Sequence, residues 1–230
     1  MGAMTPRRSG VLVLAALAAR APAARASDHL DTPTVIADPA ADIGDLFAWT
    51  SSDGRRLDLA MTIVAHRFSD RLQYVFHVAS GARFGTTTAT TTIVCRFEPA
   101  NAIECWAGDA DHARGDASNP VGLDSDRRRF RVFAGLRDDP FFNNVKGTRA
   151  ALATAAAALH DGATADPAGC TGFADATSQA IFDRWRHSDG GPAVNTLAGW
   201  TSAALVISID LELVNAGGPL LAVWAGTYKP

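Results

Sequence analysis

His29, Asp31, Asp38, Asp42 and Asp45 crowd into one stretch, SDHLDTPTVIADPAADIGDLFAW, from Ser27 to Trp49. An imidazole beside carboxylates is a donor set for a transition metal, and carboxylates alone suit calcium or magnesium. His29, Asp31 and Asp45 are the candidate ligands, with a divalent cation as the possible cofactor. A structural reading competes with this one and is favoured. Asp38 stands before Pro39 as a turn starter, and Asp42 before Ile43-Gly44-Asp45 caps a turn into a strand DLFAW. On the same reading, His29 and Asp31 beside Pro33 lock the amino-terminal segment by hydrogen bonds.

A second charged cluster lies in GLRDDPFFNN, Gly135 to Asn144. Arg137, Asp138 and Asp139 are candidate ligand-binding residues, and the spacing allows Arg137 a bidentate ion pair with the neighbouring carboxylates. A salt bridge that braces the loop is the slightly preferred reading. If the chain were a metal-assisted hydrolase, His29 would be a ligand and Asp138 or Asp139 the general base.

Other motifs carry less. GDADHARGDASNP begins like a calcium loop, but Ala113 stands at the fifth position and Pro120 where the bidentate glutamate belongs, so it is not an EF-hand. No G-x-S-x-G elbow, H-E-x-x-H or H-x-H occurs, which leaves nucleophilic catalysis and the common zinc-protease pattern without support. Trp49, Trp106, Trp185, Trp200 and Trp224 could line a sugar platform; packing in the core or at sheet edges is the favoured reading.

The elements that must position these residues are mostly strands. LDLAMTIVA alternates Leu57, Leu59, Met61 and Ile63, and LQYVFHVAS alternates Leu72, Tyr74, Phe76 and Val78. TTTIVCRFE, RFRVFAG, ALVISIDLELV and LLAVWAG continue the pattern, with Leu205 through Leu213 read as one strand face. Period-two alternation over so many segments predicts antiparallel sheets with one wet face. VKGTRAALATAAAALHDG, ending at Gly162, and ADATSQAIFDRWRHSDGG predict two helices, the second capped by Asp175 or Thr177. The expected fold is therefore mainly β, an antiparallel β-sandwich or barrel with a small two-helix insertion at about residues 145–187, in a single domain over 27–230.

Residues 1–26 have the layout of a secretory signal: a basic start with Arg7 and Arg8, the apolar run VLVLAALAA, and a small-x-small site ending at Ala26. The expectation is an exported protein, periplasmic or extracellular, with no membrane span. The whole chain has 21 Lys and Arg against 24 acids; loss of Arg7, Arg8, Arg20 and Arg25 leaves 17, a net charge of about −7. An acidic chain repels nucleic acid, and the one basic run, Arg127 to Arg131, is broken by Phe130 and preceded by Asp124 and Asp126. In an oxidising compartment the three cysteines favour a Cys95–Cys105 disulfide, because the two lie at equal offsets from the turn EPANA; Cys170 is then left over.

Several blocks in one order resemble a bacterial set: the opening SDHLDTPTVIADPAADIGDLFAW, then RFSDRLQYVFHV, GLRDDPFF and the final LLAVWAGTYKP. They are similar to the exported proteins grouped as the domain of unknown function 4331 family, across nearly the whole expected mature chain. Longer relatives begin in a pattern like S-H-R-E-A-P; here Leu30-Asp31-Thr32 replace the R-E-A. The resemblance implies export and a bacterial source, and it brings no activity, cofactor or catalytic residue with it. The expected function is a non-catalytic binding module with an acidic site for a divalent cation or small polar ligand. Its partner would be a small ligand or an envelope component. A metal-assisted hydrolase and a structural envelope or matrix protein are the alternatives.

Overall fold

The structure, a computed structural model, describes residues 29–98 and 102–230. The expected signal at 1–26 and the middle of the EPANA turn lie outside them. Among the described residues no helix is long and apolar enough to cross a membrane.

Two five-stranded antiparallel sheets form the body. The first pairs, in spatial order, β1 (Ile43–Thr50), β2 (Arg56–Ile63), β11 (Thr201–Asp210), β8 (Phe130–Asp138) and β7 (Leu123–Asp124). The second pairs β12 (Leu220–Tyr228), β3 (Gln73–Gly81), β4 (Ala89–Phe97), β5 (Ala102–Ala107) and β6 (Asp111–Asp116). β3 to β6 run as a meander. β11 and β12 arrive late and slot beside strands laid down far earlier, β11 between β2 and β8, β12 against β3. The mainly β sandwich expected from alternation is the architecture found.

The alternating positions behave as their chemistry requires. Leu57, Leu59, Met61 and Ile63 of β2 point inward and meet Tyr74, Phe76 and Val78 of β3, Ile93 of β4, Phe130 and Val132 of β8, and Leu205, Ile207 and Ile209 of β11 in one buried core. Each large side chain fully removed from water there contributes roughly 1.5–3 kcal/mol before the cost of ordering it. The sequence pattern overshoots in one place. Leu211 and Leu213 belong to a 3-10 turn, Leu211–Leu213, because β11 ends at Asp210. Asp210 is held there by Arg56 at 2.7 Å and Arg129 at 3.0 Å. None of the five tryptophans sits in the core: Trp49, Trp185, Trp200 and Trp224 are exposed and Trp106 is half-buried. The core-packing half of that expectation does not hold: the inward positions are taken by aliphatic residues and by Tyr74, Phe76 and Phe130.

Cys95 and Cys105 face each other across the β4–β5 hairpin and form the disulfide, with both residues fully buried. Cys170 is a free, exposed thiol. The bridge spans ten residues, and closing a short loop of this size is worth about 2–3 kcal/mol. Cys95→Ala/Cys105→Ala is expected to lose at least that much in urea unfolding. Midpoints equal to those of the wild-type chain would refute the role.

The helical insertion sits between β8 and β11. α2 (Val145–His160) ends just before Gly162, which has φ +104°, and packs on α3 (Asp175–Trp185). Ala174, not Asp175 or Thr177, precedes the first turn of α3, and no side chain caps it. A two-residue ribbon, β9 (His187–Ser188) with β10 (Gly191–Pro192), closes the insertion. A short helix α1 (Pro33–Ala37) precedes β1, its start capped by the Thr32 hydroxyl, which accepts from the Val35 amide.

Candidate functional site

The register of the first sheet decides which predicted residues meet. Ile43 of β1 pairs Ile63 of β2, Ile63 pairs Ala203 of β11, and Ala203 pairs Leu136 of β8. The start of β1 and the end of β8 therefore lie at the same end of the sandwich. Asp45 and Asp139, 94 residues apart in sequence, both lie at that end, and the charge of Asp139 is felt at Asp45. Burial pushes the Asp45 carboxyl above its ordinary range, the negative charge of Asp139 adds to the rise, and His29 partly opposes it.

Asp45 is placed by a bulge. The ladder between β1 and β2 shifts register between Ile43 and Leu46, and the Thr62 hydroxyl accepts from the Asp45 amide at 2.8 Å. A Cβ on Gly44 would stand 2.7 Å from that hydroxyl, so the close approach needs glycine. Asp139 is held more firmly. Its carboxylate accepts from the Phe141 amide at 2.9 Å and from the Ser202 hydroxyl at 3.3 Å, and its own amide donates to the Trp200 carbonyl at 2.9 Å.

His29 reaches neither Asp31 nor Asp45 as a partner. Its Nδ1 lies 3.2 Å from Asp42, whose second oxygen accepts from the Leu30 amide at 2.7 Å. The buried Asp42 thus clasps the amino-terminal segment, as the structural reading required, with Asp42 where Asp31 had been expected to help. Asp31 is exposed and makes no hydrogen bond among the described residues. Among those residues no three His, Cys, Asp or Glu side chains gather closely enough to hold a metal ion.

The expected ion pair of Arg137 with Asp138 or Asp139 is not formed. Neighbours on a strand point to opposite faces, so Arg137 and Asp138 diverge. The Arg137 guanidinium lies 3.9 Å over the Phe133 ring and donates to the Leu136 carbonyl at 2.8 Å. Gly135 between them makes this possible, because a Cβ there would stand 2.8 Å from the Phe133 ring. Asp138 is exposed at the end of β8, without a side-chain partner among the described residues.

The same end of the sandwich holds a cavity of about 560 Å³, whose polar lining the sequence reading did not single out. Phe97 stacks on Phe68, with ring centroids 4.2 Å apart, and with Leu136 makes its apolar lining. Arg67, Asp70 and His66 line it from the loop between β2 and β3. His66 is tied to the Thr201 hydroxyl at 3.3 Å, whereas Arg67 and Asp70 make no ion pair among the described residues. Tyr74, fully buried, supports this loop: its hydroxyl accepts from the Ser69 amide at 2.8 Å and donates to the Ala40 carbonyl at 3.0 Å, and burial pushes its pKa up to about 12. The signal was present in the sequence as three charges in RFSDR between two apolar strands.

Because the folded pKa of Asp45 is raised, its contribution is most favourable below the ordinary carboxylate value and is lost as pH rises through the folded value. Asp45→Asn is therefore expected to raise the melting temperature slightly at pH 7 and to change it little at pH 3. A lower melting temperature at pH 7 would show that the Asp45 charge is held by favourable contacts instead. No protein-family model, curated protein or solved structure matches this chain.

Proposed function

We propose that this chain is an exported, non-catalytic binding module of the domain of unknown function 4331 set, and that its ligand is a small polar molecule. The observation that carries the reading is the 560 Å³ cavity, a size typical of small-molecule sites, with Arg67 and Asp70 in no ion pair among the described residues and an apolar wall beside them. Arg67 suits a carboxylate or phosphate oxygen, Asp70 a hydroxyl or ammonium group, and Phe97 with Leu136 a short apolar portion. The layout of residues 1–26 supports export, to the periplasm or the extracellular space.

Amino acids, dicarboxylates and sugar monomers, screened one at a time by thermal shift, provide the test. At least one is expected to raise the melting temperature in a concentration-dependent way, and Arg67→Ala is expected to abolish the rise without changing the unliganded melt. A rise that survives Arg67→Ala would place the ligand elsewhere.

A divalent cation is the second reading: the Asp45 carboxyl is pushed up first by burial and then by the negative charge of Asp139, and a cation bound to Asp45 would offset both. Metal analysis of protein purified without chelator, with melts before and after chelation, tests it. An unchanged melting temperature and no bound metal count against it. In the hydrolase reading His29 is engaged by Asp42 and Asp139 by Ser202 and the Phe141 amide, which leaves exposed Asp138 as its base. The structural-protein reading predicts no ligand response in any of these melts.

A further inference from the structure

The solvent face of the second sheet carries an ordered aromatic surface that the cavity does not use. Trp224 and Tyr228 point outward from β12, 46% exposed each, and His77 stands beside them on β3. His77 and Trp224 are directly paired across the two strands and stack, 5.2 Å between centroids at 12°. The Tyr228 hydroxyl lies 3.2 Å from His77 Nε2. Gly226 completes the arrangement. A Cβ there would stand 2.8 Å from both Cε2 and Oη of Tyr228, so the ring occupies the space a side chain would take and lies down along its own strand. These rings are pre-set by the sheet and by each other, and ordering them on a ligand costs little further entropy.

The rest of the face is polar and electrically closed. Arg96 pairs with Glu104 and lies 5.0 Å over the Trp106 ring; His112 bonds Glu104 at 3.1 Å. Arg114 pairs with Glu98 at 3.1 Å. Asp126 lies 3.3 Å from His112, so Arg96 and Arg114 are each matched by a carboxylate and neither is left to hold an anionic partner, and the chain as a whole is acidic, at −3. Threonine, glutamine and charged side chains interrupt the rings, so the face is unlike the apolar centre of a stable self-association interface.

We infer that this face binds a neutral polysaccharide. Aromatic rings with one exposed side match the C–H faces of sugar rings, and the surrounding hydroxyl, amide and imidazole groups match their hydroxyls. None of Trp224, Tyr228 and His77 lines the cavity at the sandwich end.

The test is affinity electrophoresis of the full chain in gels cast with hydroxyethyl cellulose, mixed-linkage β-glucan or glycogen, together with retention on microcrystalline cellulose and chitin. At least one polysaccharide is expected to retain the protein. Trp224→Ala is expected to weaken that binding about tenfold or more, a loss of one well-packed aromatic anchor. Gly226→Ala, which displaces only the exposed Tyr228 ring, is expected to weaken it comparably, with an unchanged circular dichroism spectrum and melt. Arg67→Ala should leave it intact. No retention on any of the five polysaccharides would overturn the inference, as would undiminished retention by Gly226→Ala. So would gel filtration showing a dimer that Trp224→Ala splits, because the face would then be occupied by a second copy.

Discussion

Asp111→Ala is expected to destabilise the fold by about 3–4 kcal/mol, because the residue organises its own chain. Asp111 is a buried carboxylate at the start of β6, and four donors converge on it. One oxygen accepts from the amides of His112 at 2.9 Å and Arg127 at 3.0 Å. The other accepts from the Ser125 hydroxyl at 2.5 Å and the Arg129 amide at 3.1 Å. Ser125, itself buried, then accepts from the Phe130 amide at 3.0 Å, so one carboxylate organises the whole turn that feeds β8. Truncation leaves the Ser125 hydroxyl and several amides without their acceptor, and a buried donor without a partner costs about 1–3 kcal/mol. Burial pushes the Asp111 carboxyl up, and the bonds from Ser125, Arg127, His112 and Arg129 outweigh it, leaving the group below its usual range. A depressed folded value means stability that is present above the unfolded pKa and lost as pH falls through the folded one. Urea unfolding should therefore show the wild-type advantage over Asp111→Asn in full at pH 7 and shrinking below about pH 3.9. An advantage that did not depend on pH would sink this account.

The second large effect is local. Asn144 is buried at the entrance to α2 and uses its side chain four ways. Its Oδ1 accepts from the Gly147 amide at 3.0 Å, capping the helix, and from the Ser188 hydroxyl at 2.7 Å. Its Nδ2 donates to the carbonyls of Trp185 at 2.8 Å and His187 at 3.0 Å. One amide thus ties the first turn of α2 to the end of α3 and to β9. Asn144→Ala removes a cap worth about 1 kcal/mol and strands the partners of the other three bonds, for a total of about 3–4 kcal/mol. The loss should fall on the insertion alone. Hydrogen exchange is expected to rise over residues 145–188 while β2, β3 and β11 keep their protection. Asn144→Asp should not rescue, because it retains the acceptors but sets a carboxylate against two carbonyls. Gly147→Ala should reproduce the defect: its Cβ would stand 2.1 Å from Asn144 Nδ2 and 2.6 Å from the His187 carbonyl oxygen. Uniform loss of protection across both sheets would refute the local reading.

Asp111 and Asn144 show where sequence reasoning stopped. Asp111 is the third position of the calcium-like loop that starts at Asp109 in GDADHARGDASNP, and its four partners are donors from its own chain. Asn144 looked like the tail of GLRDDPFFNN; its bond to Ser188 spans 44 residues, and no local pattern announces it. Arg137 illustrates the opposite lesson. Its failure to pair with Asp138 was legible, since β8 alternates Phe130 and Val132 inward and so must send Arg137 and Asp138 to opposite faces. Trp224 was equally legible: Leu221, Val223 and Ala225 pack against the core from β12, which leaves Trp224 to the solvent.

By itself, the sequence determined whatever depends on near neighbours. Period-two alternation set the strands and their inward faces, alanine content and Gly162 set α2, and equal offsets from a short turn set the Cys95–Cys105 bridge. Each of these follows from the geometry of a few consecutive residues. Tertiary structure alone decided that β11 lies between β2 and β8. That placement brought Asp139 to the end of the sheet where Asp45 lies and set Leu136 and Ala203 along the cavity, while the separate pairing of β12 with β3 laid Tyr228 and Trp224 beside His77. Strand order is a choice among long loop closures whose costs differ little and whose outcome rests on the summed packing of a whole core. Charges and aromatic rings at the surface are carried wherever that packing puts them.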